Sequence, residues 1–160
     1  GVAVADLFTG MYASVGILAA LRHAEKTGNG QHIDMALLDT QVAMLANLGA
    51  NYLVSGQKTG KVPGRAGNAH QNIVPYQVFE TAPSESGVKD HLILAVGNDN
   101  QFVKFCAVAG LDHLPQDPQY ATNQARVRHR EVLVPILAAT LKTRSKTDWL
   151  RALEIGRAHV

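Results

Sequence analysis

At 160 residues the chain has the length of one domain, and 46% hydrophobic against 18% charged residues supplies enough apolar material for a packed core. A formal net charge of +2 excludes the strong basic field of a nucleic-acid binder. A single cysteine excludes an internal disulfide or a Cys-rich metal site. The first predicted element is a helix over residues 11–21, apolar or small on every face, followed by Arg22, His23, Glu25 and Lys26 and stopped at Thr27-Gly28. A helix apolar all round is expected to be buried. The run is too short to cross a membrane.

Asp6 is the only charged side chain ahead of Arg22. Just before a helix it reads either as an N-cap, in competition with Thr9, or as an anion facing free backbone N–H groups. The helix dipole stabilises an anion by only about 0.3–1 kcal/mol, whereas burial raises a carboxyl pKa by up to about 3–5 units. A reactive Asp6 therefore requires hydrogen-bond donors or the mouth of a cleft.

Residues 31–37 alternate polar and apolar and predict a short strand, with His32 and Asp34 on its solvated face. A helix over 39–54 follows, with Val42, Leu45, Leu48 and Tyr52 as its packing stripe. Gly56, Gly60, Pro63, Gly64 and Gly67, interleaved with Lys58, Lys61 and Arg65, mark a basic linker. A contact of these cations with a ligand phosphate is the functional alternative.

Residues 67–72 form a polar turn before strands over 76–81 and 91–96, which are joined by a turn-rich connection. Asn98 or Asp99 caps a helix to Ala109, with Phe102, Phe105, Cys106 and Ala109 as its buried stripe and Gly110 as its stop. Cys106 reads as a buried structural thiol. Residues 115–123 are expected to be an exposed connection. A helix from Arg126 to about Lys142 should kink or restart at Pro135. Its basic cluster, Arg126, Arg128 and Arg130, lacks stacking aromatics and reads as a solvated face. Ser145 and Asp148 make a capping-box-like start for a last helix with Trp149, Leu150 and Leu153 as its apolar face.

The blocks Val4-Ala5-Asp6-Leu7-Phe8-Thr9-Gly10-Met11-Tyr12, Gly16-Ile17-Leu18-Ala19-Ala20-Leu21 and Lys26-Thr27-Gly28-Asn29-Gly30-Gln31 resemble the family III CoA-transferases. That family includes formyl-CoA and carnitine CoA-transferases and the related alpha-methylacyl-CoA racemases. The likeness continues through Gly67-Asn68-Ala69-His70-Gln71-Asn72-Ile73-Val74-Pro75-Tyr76-Gln77 and Leu94-Ala95-Val96-Gly97-Asn98-Asp99-Asn100-Gln101-Phe102, and covers roughly 1–154.

The resemblance implies an α/β family fold, of which these residues form a mixed α+β fragment. Residues 1–54 correspond to the C-terminal part of a large CoA-binding domain with its linker helix, 55–67 to a linker loop and 68–154 to a small α+β domain with a short sheet covered by helices. Residues 155–160 depart from the pattern and read as a truncation junction or cloning scar. The implied activity moves CoA from an acyl-CoA thioester to a free carboxylic acid, with Asp6 as the covalent nucleophile.

In formyl-CoA transferase a glycine-rich loop covers the active site. Here His70, Gln71 and Asn72 stand at that position, where they would contact the substrate carboxylate. The resemblance further implies coenzyme A thioester as substrate, no resident cofactor or metal, interlocked homodimers with the active site between large and small domains, and neither nucleic acid nor membrane as partner. A cytoplasmic setting is the default. In a racemase of the same superfamily Asp6 would act as a general acid or base at the alpha carbon. A folded, non-catalytic association module is the third reading.

Overall fold

The computed structural model describes the chain apart from Gln57, Thr59, Lys61, Glu85 and residues 156–160. It divides into two compact units, Gly1–Gly64 and Arg65–Val160. Lys61 and most of the 155–160 tail lie outside the described residues.

The first unit is built on α1, Val4–Thr27. Ala, Leu and Met runs without proline favour the helix. Gly28 ends it in the left-handed conformation (φ 74°), donating its N–H to the Ala24 carbonyl at 2.7 Å. The helix is thus longer than the 11–21 run. It is 24 residues long and contains an 18-residue window of mean hydropathy 1.6, so by length and composition alone it could cross a membrane. It is also not buried: none of its residues is, and Leu7, Met11, Val15 and Leu18 are 60–67% exposed. A helix apolar on every side needs neighbours on every side. Within this unit the approach mapped at Gly16 is that of Ile33 and Met35, whose side chains lie 3.6 and 3.8 Å from where a Cβ would stand.

Those two residues belong to the irregular stretch 29–36, where a strand was expected. A strand requires a partner ladder, and the described residues of this unit contain none. His32 and Asp34 are exposed there. The helix expected over 39–54 is broken into α2, Leu37–Met44, and α3, Ala46–Asn51, followed by a π-helical turn, Tyr52–Gly56. In its stripe, Val42 and Leu45 are exposed.

The second unit has a core. Strands β1, Tyr76–Glu80, and β2, His91–Ala95, pair antiparallel with Val78 opposite Ile93. Helix α4, Asp99–Ala109, opens with the Asn98 side chain accepting the Gln101 N–H and stops at Gly110 (φ 72°). A short 3₁₀ turn, Leu114–Gln116, leads to α5, Asn123–Arg128, then α6, Arg130–Leu141, and α7, Lys146–Ile155. The helix breaks at His129 and runs through Pro135, so the restart lies earlier than expected.

Ser145 accepts the Asp148 N–H and donates to its carboxylate, as the capping pattern implied. Phe102, Phe105, Cys106, Leu133, Leu137, Leu141, Trp149 and Leu153 fill the core at 0% exposure. Two residues depart from expectation: Leu150 is 41% exposed, and Tyr120, in the connection expected to be exposed, is buried at 6%. The Trp149 indole N–H donates to the Leu141 carbonyl at 2.8 Å, and the Arg144 guanidinium lies over its ring.

Candidate active site

Asp6 sits inside α1, in its first turn, and its side chain is exposed. It is not the cap. Ala3 occupies that position with no side-chain hydrogen bond, and the Thr9 hydroxyl donates back to the Ala5 carbonyl at 2.7 Å. The first-turn place aligns the Asp6 carboxylate with the positive end of the helix dipole.

In the second unit, His70, Gln71 and Asn72 lie in one turn whose backbone is held from outside. Its carbonyls are taken up by side chains of the α5–α6 segment. One Arg130 Nη2 donates to the His70 and Gln71 carbonyls at 3.0 and 2.9 Å. Asn123 Nδ2 donates to the Asn72 carbonyl at 2.8 Å, while Asn123 Oδ1 accepts the Val74 N–H at 3.1 Å. Arg126 Nε donates to the Val74 carbonyl at 2.7 Å.

The His70 ring stacks on Tyr76, with centroids 5.4 Å apart and planes 12° from parallel. Its Nδ1 accepts the Asn72 backbone N–H at 3.0 Å. Since Nδ1 is an acceptor, the neutral ring carries its proton on Nε2, which is the donor it offers. His70 and Gln71 are half-buried and Asn72 is exposed.

The basic cluster is not a solvated face. Arg126 is fully buried, 4.3 Å above the Phe102 ring, and reaches the Tyr120 carbonyl and Asp99 Oδ1 at 3.0 and 2.9 Å. Burial pulls its guanidinium below the ordinary arginine range, and the bond to Asp99 pushes back. Arg130 is half-buried, and Arg128 alone of the three is exposed. The three anchoring residues were not singled out as a set from the sequence. The i, i+3, i+7 spacing of Asn123, Arg126 and Arg130 was the signal available. Among the described residues, no group of three or more His, Cys, Asp or Glu is placed to hold a metal ion.

Comparison with known proteins bears on these positions. The family model for CoA-transferase family III matches residues 1–159. The chain is 53% identical over 155 residues to the succinate–glutarate CoA-transferase of Agrobacterium fabrum, covering 96% of this chain and 36% of that protein. It is 42% identical to the succinyl-CoA:glutarate CoA-transferase of Mus musculus, covering 96% and 33% respectively. The chain therefore spans about a third of the length of the curated relatives it matches. A solved CaiB/BaiF family protein from Brucella suis superposes with a TM-score of 0.64 at 44% identity, over 98% of this chain and 39% of that one. With mixed helices and a two-stranded antiparallel sheet in the structure, and a match over nearly its whole length, the chain belongs to CoA-transferase family III.

Proposed function

We propose that the protein carrying these residues moves CoA from an acyl-CoA thioester to a dicarboxylic acid, with Asp6 as covalent carrier. The observation that carries this reading is the 53% identity, over nearly the whole chain, to a relative named for succinate and glutarate. The exposed first-turn position of Asp6 supports its role as carrier.

In the proposed sequence a carboxylate oxygen of Asp6 attacks the thioester carbonyl. The C–S bond breaks, giving a mixed anhydride and CoA thiolate. The thiolate attacks the aspartyl carbonyl and releases the donor acid, leaving an aspartyl–CoA thioester. The acceptor carboxylate displaces the thiolate to form a second anhydride. Attack of the thiolate on the acceptor's acyl carbon then yields the new acyl-CoA and frees Asp6. Each step exchanges one acyl bond for another, which splits one difficult exchange into easier ones, with the anhydrides as the high-energy species. His70 through Nε2–H, with Gln71 and Asn72, donates to the substrate carboxylate. In this reading residues 1–54 belong to the large CoA-binding domain, 68–154 form the small domain, and two chains associate.

Asp6→Asn, made at the full length of the relatives, tests the assignment. Asparagine keeps the shape but removes the anionic nucleophile, so transfer should stop while folding is kept. Wild-type protein given acyl-CoA without acceptor should yield a hydroxamate on Asp6 with hydroxylamine. Retention of more than about a tenth of the wild-type rate, a barrier change under about 1.4 kcal/mol, would rule the nucleophile out. Loss of activity with no trapped adduct would point to racemase chemistry.

A further inference from the structure

The two anchoring arginines differ in one respect. Arg126 is fully buried and has a carboxylate, Asp99, at 2.9 Å. Arg130, among the described residues, pairs with no carboxylate, and its Nε is buried without a hydrogen-bond partner. It also stands at the start of α6, where the helix dipole disfavours a cation. The side chain nevertheless reaches the carbonyls of His70 and Gln71. Holding two carbonyls requires only a neutral donor, and this half-buried cation, with its Nε buried and unpartnered, has no counter-charge. The arrangement is accounted for if an anion completes it.

We infer that Arg130 is a positioning residue for the acceptor acid. It fixes the His70–Gln71 backbone and supplies, from behind the turn, the positive charge that a carboxylate bound at 70–72 neutralises. This rests on the reading that the turn binds the acid. It assigns to Arg130 selectivity for an anionic acceptor, without contact to the reacting atoms. His70, held in the Nε2–H form by the Asn72 N–H and stacked on Tyr76, is the neutral donor. Arg130 is the charge.

The test uses the protein at the full length of its relatives, with glutarate as acceptor and succinyl-CoA saturating. Arg130→Gln, which removes the charge, should raise the glutarate KM by about tenfold or more. The kcat should stay within about twofold of wild type, while the succinyl-CoA KM should rise with that of glutarate, since the succinyl group brings its own free carboxylate to the same site. Arg130→Lys, which keeps the charge on a shorter side chain and so holds the two carbonyls less well, should fall between. If the Gln variant does not fold, an increased glutarate KM in the Lys variant supports the inference and an unchanged one overturns it. An unchanged glutarate KM in folded Arg130→Gln, or a fall in kcat with both KM values unchanged, also overturns it. His70→Ala and Gln71→Ala separate the two layers of the argument. If they raise the glutarate KM while Arg130→Gln does not, only the Arg130 assignment fails. If neither raises it, the turn is not the acid site and both readings fail together.

Discussion

Asp99 and Arg126 share a 2.9 Å bond whose ends lie in different surroundings: the guanidinium has no exposure, whereas the carboxylate side chain is 52% exposed. The same Asp99 oxygen accepts the Asn123 N–H at 2.7 Å. One atom at the start of α4 thus ties down the start of α5, and Arg126 carries the tie on to Val74. Removing Arg126 leaves the Val74 and Tyr120 carbonyls without this donor and opens a void over Phe102. Arg126→Met should therefore destabilise the second unit by about 2–4 kcal/mol, chiefly through the carbonyls left unpaired, since the remaining Asp99 carboxylate is half exposed. Asp99→Asn, which keeps an acceptor oxygen but removes the charge, should cost about 1–3 kcal/mol. Urea unfolding followed by circular dichroism measures both, and an Asp99→Asn variant as stable as the wild type would show that the charge itself contributes nothing.

Cys106 has no exposure, and burial pushes its thiol up to about 12. The thiolate is the reactive form. In the folded protein at pH 8, Cys106 should resist a disulfide reagent and react only after denaturant is added. Prompt modification without denaturant would show that α4 opens readily.

The acid limb of stability should depend on three lysines and the two carboxylates they hold. Lys142, at 2.8 Å, and Lys89, at 3.6 Å, hold the Glu80 carboxyl below its ordinary 4.5. Lys146, at 2.7 Å, and the His91 N–H hold Asp90 below its ordinary 3.8. A carboxyl whose pKa is lower folded than unfolded binds its proton more weakly in the folded state. Its contribution is complete above the ordinary value and fades as the pH falls through the folded one. Thermal melts should show stability declining from about pH 5 downward, with a shallower decline in Lys142→Met and Lys146→Met. An unchanged slope in both variants would show that solvent screens these pairs entirely.

The apolar surface of α1 has a consequence in solution. Leu7, Met11, Val15 and Leu18 lie on a helix without a buried residue, and extended apolar surface rarely stays in contact with water. The 160-residue chain should self-associate at micromolar concentration. Leu7→Glu with Leu18→Glu should reduce the association, as read by sedimentation velocity. A monomeric wild type would contradict the prediction.

What the sequence revealed of this fold is what neighbouring residues decide. Asn98 capping α4, Gly28 and Gly110 ending their helices, the Phe102–Phe105–Cys106 stripe and both strands follow from local chemistry and periodicity. The misjudged features depend on distant partners. Arg126 looked like a surface charge because nothing near it advertises Val74, 52 positions away, as its acceptor. The stretch 31–37 alternates like a strand, yet no ladder forms beside it. Asp6 was marked as the residue of interest, but its place within the first turn, with Ala3 capping, carries no sequence signal because alanine is a poor cap. The turn at 70–72 was marked by its polar side chains. Its anchorage was not, because donors to a backbone carbonyl leave no pattern in the residues that own those carbonyls.

The chain contains one tryptophan, and it lies in the second unit with no exposure, its N–H on Leu141 and a guanidinium over its ring. Selective excitation of indole therefore interrogates only the Arg65–Val160 half. Its emission should be shifted to the blue and should move red as that half melts. The Gly1–Gly64 half holds Tyr12 and Tyr52 as its chromophores and is silent at that wavelength. Fluorescence and far-ultraviolet dichroism recorded on one sample then separate the two halves without any label. Where the two curves diverge, the halves unfold independently; where they coincide, they unfold as one.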